Sequence, residues 1–245
     1  MKSREIILSV KRSTFRVDDP HSDESMPEFK KNRKLALERD NHACGYCGFR
    51  SAKFQEVHHL DDNHNNNELS NLITTCSLCH MCHHIGFAGF KELGDLIRID
   101  PKENLTQASL NSLVRALWMA ESSPNKELAQ GATSLYNRLH LLSVNAKRQL
   151  GTNKPDVLAR FMISLDDREY GKRKEKLEGI YFLPCKEGFT QQLEHWKKAG
   201  LKNNPTEKWP AIASDRVLKW AENEFNIQGA ENAVASFLKG KRIEN

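Results

Sequence analysis

The chain has 245 residues, 38% of them hydrophobic and 28% charged, with a formal net charge of +5. That length gives one or two domains with enough chain to bury a core, and the weak positive charge permits nucleic-acid contact without requiring it. Six cysteines are present, five of them between Cys44 and Cys82, which argues for metal binding in a reducing compartment and against a secreted disulfide framework. The N-terminus lacks a signal-type apolar run, and no window approaches the roughly 18 apolar residues of a membrane span. The expected location is cytoplasmic, without membrane insertion.

Residues 1–26 read as an N-terminal strand segment. Glu5 to Val17 alternates apolar and polar (Ile7, Ser9, Val10, Phe15, Val17), the period of one or two strands. Residues 27–100 form a second unit, opened by a helix at Pro27 with Phe29, Leu35 and Leu37 and closed by a strand over Asp95 to Ile99. Residues 101–200 are mostly helical and continuous with it. Thr106 or Asn104 caps a helix with an apolar stripe of Leu110, Leu113, Val114 and Leu117, and a second helix carries Leu128, Ala132, Leu135, Leu139 and Leu142. A third opens near Pro155, Asp166 to Glu178 is one exposed charged helix, and Ile180 to Leu183 is a short buried strand ended by Pro184. A further helix carries Phe189, Leu193 and Trp196. Residues 201–245 are a linker and a tail with two amphipathic helices. The predicted class is α+β.

The chemistry lies between Cys44 and His84. Cys44-x-x-Cys47 and Cys76-x-x-Cys79 are tight pairs separated by about thirty residues, the pattern of a closed four-thiolate structural zinc site. Gly45 and Gly48 suit the sharp turn of the first pair. Cys79-x-x-Cys82 is a second possible pairing; Cys76 with Cys79 leaves His80 and His84 free. Those two histidines, four residues apart, share a helix face and can hold one ion. His58 and His59 are adjacent, so on a strand they face opposite ways. The Asn-rich stretch from Leu60 to Ser70 reads as a hairpin loop.

Cys44-x-x-Cys47, Val57-His58-His59, Asn71-Leu72, Cys76-x-x-Cys79-His80 and His84 together resemble the HNH, or ββα-metal, nuclease family. The resemblance implies a zinc-stapled ββα module in which His58, His80 and His84 hold a catalytic Mg²⁺ or Mn²⁺. It makes His59 the general base, with Asn71 tying the loop and orienting it. Histidine titrates near neutral pH, as such a base must. A general base contributes to rate more than to stability, so His59→Ala is expected to leave the fold nearly intact. His64 and His83 read as bystanders.

A longer likeness, from about residue 29 to about residue 200, includes Cys-Gly-Tyr-Cys-Gly-Phe, the Asn66 to Leu72 run, the Cys76/Cys79/Cys82 arrangement, Leu105 to Leu113 and Phe182-Leu183-Pro184. It is similar to the IcmJ/DotN proteins of type IVB (Dot/Icm) secretion. That similarity implies an adaptor with structural Zn²⁺ in a coupling complex, bound to a DotL-like coupling ATPase and other subunits and peripheral at the inner membrane through them. The complete histidine set keeps the alternative of an active DNA endonuclease.

Overall fold

The computed structural model describes residues 4–11, 27–63, 65–103, 105–122, 124 and 126–203. The expectations placed on Phe15, Val17, Asn104, the Leu128 side chain and the tail beyond Asn203 lie outside the described residues. The class is α+β, with two small antiparallel sheets among helices.

Helix α1 (Pro27–Arg39) starts at the proline and carries Glu28 in its first turn and Arg39 in its last, as the helix dipole favours. Its Phe29, Ala36 and Leu37 pack on Val57 and Leu72, which belong to strands β1 (Gln55–His59) and β2 (Leu72–Cys76). These strands pair antiparallel, with Gln55 opposite Cys76 and His59 opposite Leu72. Two short helices follow, α2 (Ser77–Met81) and α3 (Ile85–Phe90).

Strand β3 (Gly94–Arg98) pairs antiparallel with the distant β4 (Ile180–Pro184), Leu96 lying opposite Phe182. Open strand edges invite foreign pairing, and here both edges are occupied. On the β3 side, Leu96 N donates to Asn153 O at 2.8 Å and Arg98 N to Leu142 O at 3.3 Å. On the β4 side the Gln107 amide imitates a strand: its Nε2 donates to Phe182 O at 2.8 Å, and Phe182 N donates to its Oε1 at 2.9 Å.

Gln107 opens α4 (Gln107–Ala120), which Thr106 caps by accepting from Ser109 N at 3.1 Å, a bond that satisfies one of the orphan donors of the first turn. Leu110, Val114 and Trp118 on α4 are fully buried. They share one apolar cluster with Leu96, Ile97, Phe182, Cys76 and Cys79, so the cysteine segment and the helical half are packed on a common core. Around it lie α5 (Lys126–Leu141), α6 (Ser143–Leu150), α7 (Pro155–Ser164) and α10 (Thr190–Asn203). Gly89 of α3 meets α7 so closely that a Cβ there would lie 2.2 Å from Asp156 N. No helix among the described residues is long and apolar enough to cross a membrane.

Three sequence expectations change. The N-terminal strand is an extended strap outside any sheet over residues 4–11. It does not alternate cleanly: Ile6, Leu8 and Val10 are buried, but so is Ser9 between them, while Ile7 is only half-buried. Its backbone bonds go to the junction of α2 and α3: Ser9 N donates to Cys82 O at 3.0 Å, and Ile85 N donates to Ser9 O at 3.2 Å. The charged helix of Asp166 to Glu178 is two short helices, α8 (Asp167–Gly171) and α9 (Arg173–Lys176). They break at Lys172 so that Tyr170 turns inward and its hydroxyl meets Val10 N at 3.1 Å and Val10 O at 3.2 Å. The helix ending near Leu142 is followed by α6, which the sequence reading left out.

Candidate metal centres

The first pair of cysteines sits on a knuckle before β1. Gly48 takes a left-handed φ of +71°, which glycine adopts without a Cβ penalty, and its N–H donates to Cys44 O at 2.8 Å. Gly45 serves a different purpose: a Cβ there would lie 2.3 Å from Ile73 Cδ1. Its N–H donates to Thr74 O at 2.8 Å and seats the knuckle on β2. Cys76 ends β2 and Cys79 lies on α2.

The structure brings the sulfurs of Cys44, Cys47, Cys76 and Cys79 within 4.8 Å of one another. Cys47 Sγ and Cys76 Sγ are 3.7 Å apart. Ligands about 2.3 Å from a tetrahedral zinc stand about 3.8 Å from each other, so the donor set fits such an ion. Cys82 stands outside the group. Its thiol donates to Leu78 O at 3.3 Å, and burial pushes it up to about 12, against the lowering effect of the Asn111 amide, so it stays protonated.

Two side chains that the sequence reading missed surround the sulfurs, both from α4. Arg115 Nη2 donates to Cys76 Sγ at 3.2 Å and to Cys47 Sγ at 3.7 Å. Asn111 Nδ2 donates to Cys79 Sγ at 3.4 Å and to Cys82 Sγ at 3.5 Å. A buried guanidinium is costly unless negative charge faces it. The partners of Arg115 here are sulfurs, which fits a thiolate centre better than four neutral thiols. No local signal exposed these residues, since both lie more than thirty positions from the nearest ligand in sequence.

The histidine cluster draws on three elements: His58 is on β1, His80 on α2, and His84 is the N-cap of α3, beyond the end of α2. The two later histidines therefore do not share one helix face as expected. A ring nitrogen of each of His58, His80 and His84 falls within 4.8 Å of the others, and His80 Nε2 is 3.1 Å from His84 Nε2. Glu56 on β1 hydrogen-bonds His80 Nδ1, which leaves the Nε2 lone pair facing the cluster. A carboxylate behind a histidine in this way fixes its tautomer for a metal. Burial opposes ionisation of Glu56, but the facing His80, with Ser77 and Arg33, holds its carboxyl below the usual range. Burial, with His83, His80 and His84 crowding around it, drives His58 far below its ordinary value, so it presents a neutral imidazole. His83 is no bystander in packing. It is buried, stacks on His58 with centroids 4.0 Å apart, and its Nε2 has no hydrogen-bond partner among the described residues.

His59 faces away from this cluster, as strand alternation requires. It is 2% exposed, stacks on Phe29 at 5.4 Å, and has Nε2 2.9 Å from Asn67 Oδ1. The amide seen against His59 is therefore that of Asn67, which the sequence reading passed over. Asn71, assigned to that role, donates from Nδ2 to Asp61 Oδ1 at 2.8 Å and to Asn66 O at 2.9 Å, and accepts from Asp61 N at 3.2 Å. These bonds tie Asn71 to Asp61 and Asn66 within the loop.

No protein-family model matches the chain. Among curated proteins it is similar to the type 4 apparatus protein DotN of Legionella pneumophila. The two are 31% identical over 176 residues, which span 71% of this chain and 81% of the relative. With that identity over most of both chains, this chain belongs to the DotN family of type 4 apparatus proteins.

Proposed function

We propose that this chain is a zinc-stabilised adaptor subunit of a type IVB secretion or conjugation coupling complex, binding the coupling ATPase and aiding the presentation of its substrates. The observation that carries this reading is the extent of the DotN similarity. At 176 residues it runs far beyond the segment from Cys44 to His84, so the shared property is the whole scaffold and not a metal module alone. Zinc at Cys44, Cys47, Cys76 and Cys79 would hold an HNH-like ββα unit, for which the β1–β2 hairpin followed by α2 is support. The adaptor is read as cytoplasmic and held at the inner membrane through its partners.

The second reading, a nuclease using Mg²⁺ or Mn²⁺, has the His58, His80 and His84 cluster in its favour. Against it stands His59, buried at 2% exposure, stacked on Phe29 and with Nε2 held by Asn67 and not by Asn71, an arrangement that disfavours a solvent-facing base. The test is an affinity-tagged chain expressed in a cell that carries the apparatus. Co-purification of the coupling ATPase supports the adaptor. Its absence, together with plasmid nicking lost in His59→Ala, supports the nuclease.

A further inference from the structure

Arg115 does more than face the sulfurs. It is 5% exposed, and its guanidinium carbon lies 3.8 Å from the Phe49 ring centroid and 5.3 Å from that of Trp196. The two rings meet edge to face, 5.3 Å apart at 78°. Phe49 stands two residues after the ligand Cys47, while Trp196 belongs to α10, which carries no ligand. One further ring contact, Phe54 on His195 at 5.6 Å, joins α10 to the same post-knuckle segment. The partners of the guanidinium among the described residues are sulfurs and aromatic rings, with no carboxylate, and its Nε is buried without a partner.

We infer that Arg115 is a positioning residue of the cysteine centre and makes the docking of α10 conditional on the bound metal. A dication held by four thiolates leaves a centre with a net charge of about −2, and Arg115 is the cation that offsets part of it. The same guanidinium is the plate on which Trp196 sits. Without an ion between them the four sulfurs are no longer drawn to one point, so loss of the metal opens the cradle of sulfurs that Arg115 Nη2 bonds. A buried, unpaired guanidinium must then leave or admit water, and either movement takes away the surface under Trp196. Arg115 thus links metal occupancy to a neighbouring element that supplies no ligand. The inference rests on the cysteine centre alone and holds whether or not the chain serves a secretion complex.

The test uses the full chain loaded with zinc, and reads hydrogen exchange by mass spectrometry before and after chelation. Exchange in residues 190–203 is expected to rise roughly tenfold or more as a local opening, while β3, β4 and α6 keep their protection. Exchange around the knuckle rises as well, since it carries ligands; α10 is the element that discriminates. In Arg115→Met no charge is left to be stranded, so chelation is expected to raise α10 exchange less than in the wild type. The loaded Met variant should also release zinc more readily in a chelator competition, by roughly 10–100-fold, as removal of an outer-sphere partner does. Should Arg115→Met fail to fold, Arg115→Lys keeps the charge but loses the planar face and fork. It should retain zinc yet show faster α10 exchange while still loaded. An α10 that ignores chelation would overturn the inference. So would equal loss of protection in α10 and in β3–β4, an equal response of wild type and Arg115→Met, or a zinc-loaded Lys variant with wild-type α10 exchange.

Discussion

Glu56 on β1 and His80 on α2 form a hydrogen-bonded pair that turns His80 Nε2 toward His84 Nε2, 3.1 Å away. A carboxylate on β1, a histidine on α2 and a second histidine at the N-cap of α3 are thereby brought together. The pair gives the histidine cluster a built supporting shell, and that shell has a measurable consequence.

Glu56→Gln keeps the size of the side chain but weakens its hold on the His80 tautomer. The variant is expected to lower the affinity of the histidine cluster for Mn²⁺ by roughly 10–100-fold, measured by calorimetric titration of zinc-loaded protein. The cysteine-bound zinc should be unaffected. An unchanged Mn²⁺ isotherm would reduce Glu56 to an ordinary partner of a histidine that holds no ion.

Cys44→Ser and His59→Ala separate two kinds of contribution. Metal binding is folding free energy in such knuckles, so Cys44→Ser should lose zinc and the cooperative thermal transition of its segment. His59→Ala, neutral to stability on the sequence reading, instead opens a cavity beside Phe29 and leaves Asn67 without the ring nitrogen 2.9 Å away. Its expected cost is about 2–4 kcal/mol with zinc retained. A wild-type melting temperature for His59→Ala would contradict the packing described for it.

Gly89→Ala probes the contact of α3 with α7. The added Cβ would sit 2.2 Å from Asp156 N, a backbone atom that cannot swing aside. Chemical denaturation should show a loss of about 1–3 kcal/mol, as overpacking does. An Ala variant as stable as the wild type would mean that the two helices separate without cost.

Asp95 supplies a pH-dependent contribution. Burial raises its pKa, but Lys154, 2.8 Å away, and His140, 3.0 Å away, outweigh that and hold the carboxyl below its ordinary value. A depressed folded-state pKa contributes stability above the unfolded value of about 3.9, and that stability is lost as pH falls through the folded value. Acid unfolding curves of Asp95→Asn should therefore be flatter than wild type in the window below pH 4. Parallel curves would show that Asp95 contributes nothing through its charge.

The cysteine centre was legible because Cys-x-x-Cys spacing is a local constraint: Cys44 with Cys47 and Cys76 with Cys79 each occupy one turn. The Thr106 cap, the α4 stripe and the buried strand before Pro184 were legible for the same reason. Glu56, Asn67, Asn111 and Arg115 were not. Each acquires its meaning only when a distant element is packed against it, and nothing in the sequence near Arg115 points at Cys76. The strap at residues 4–11 was half legible. Its apolar content marked a segment that packs on the core, but the pattern led with Ile7, which is half-buried, where Ile6 and Leu8 are buried. It gave no sign that the backbone would bond to Cys82 and Ile85 instead of a strand. Likewise, the charged surface of α8 hid the single inward Tyr170 that fastens it to Val10.

Whether the chain acts as a bound subunit or as a free enzyme is decided by assembly in solution. The purified zinc-loaded chain would be mixed with the soluble portion of the coupling ATPase from the same apparatus and run on size exclusion with light scattering. A co-eluting complex of defined stoichiometry is expected at micromolar concentration. Elution of the chain alone at every concentration, with zinc still bound, would contradict the bound-subunit role.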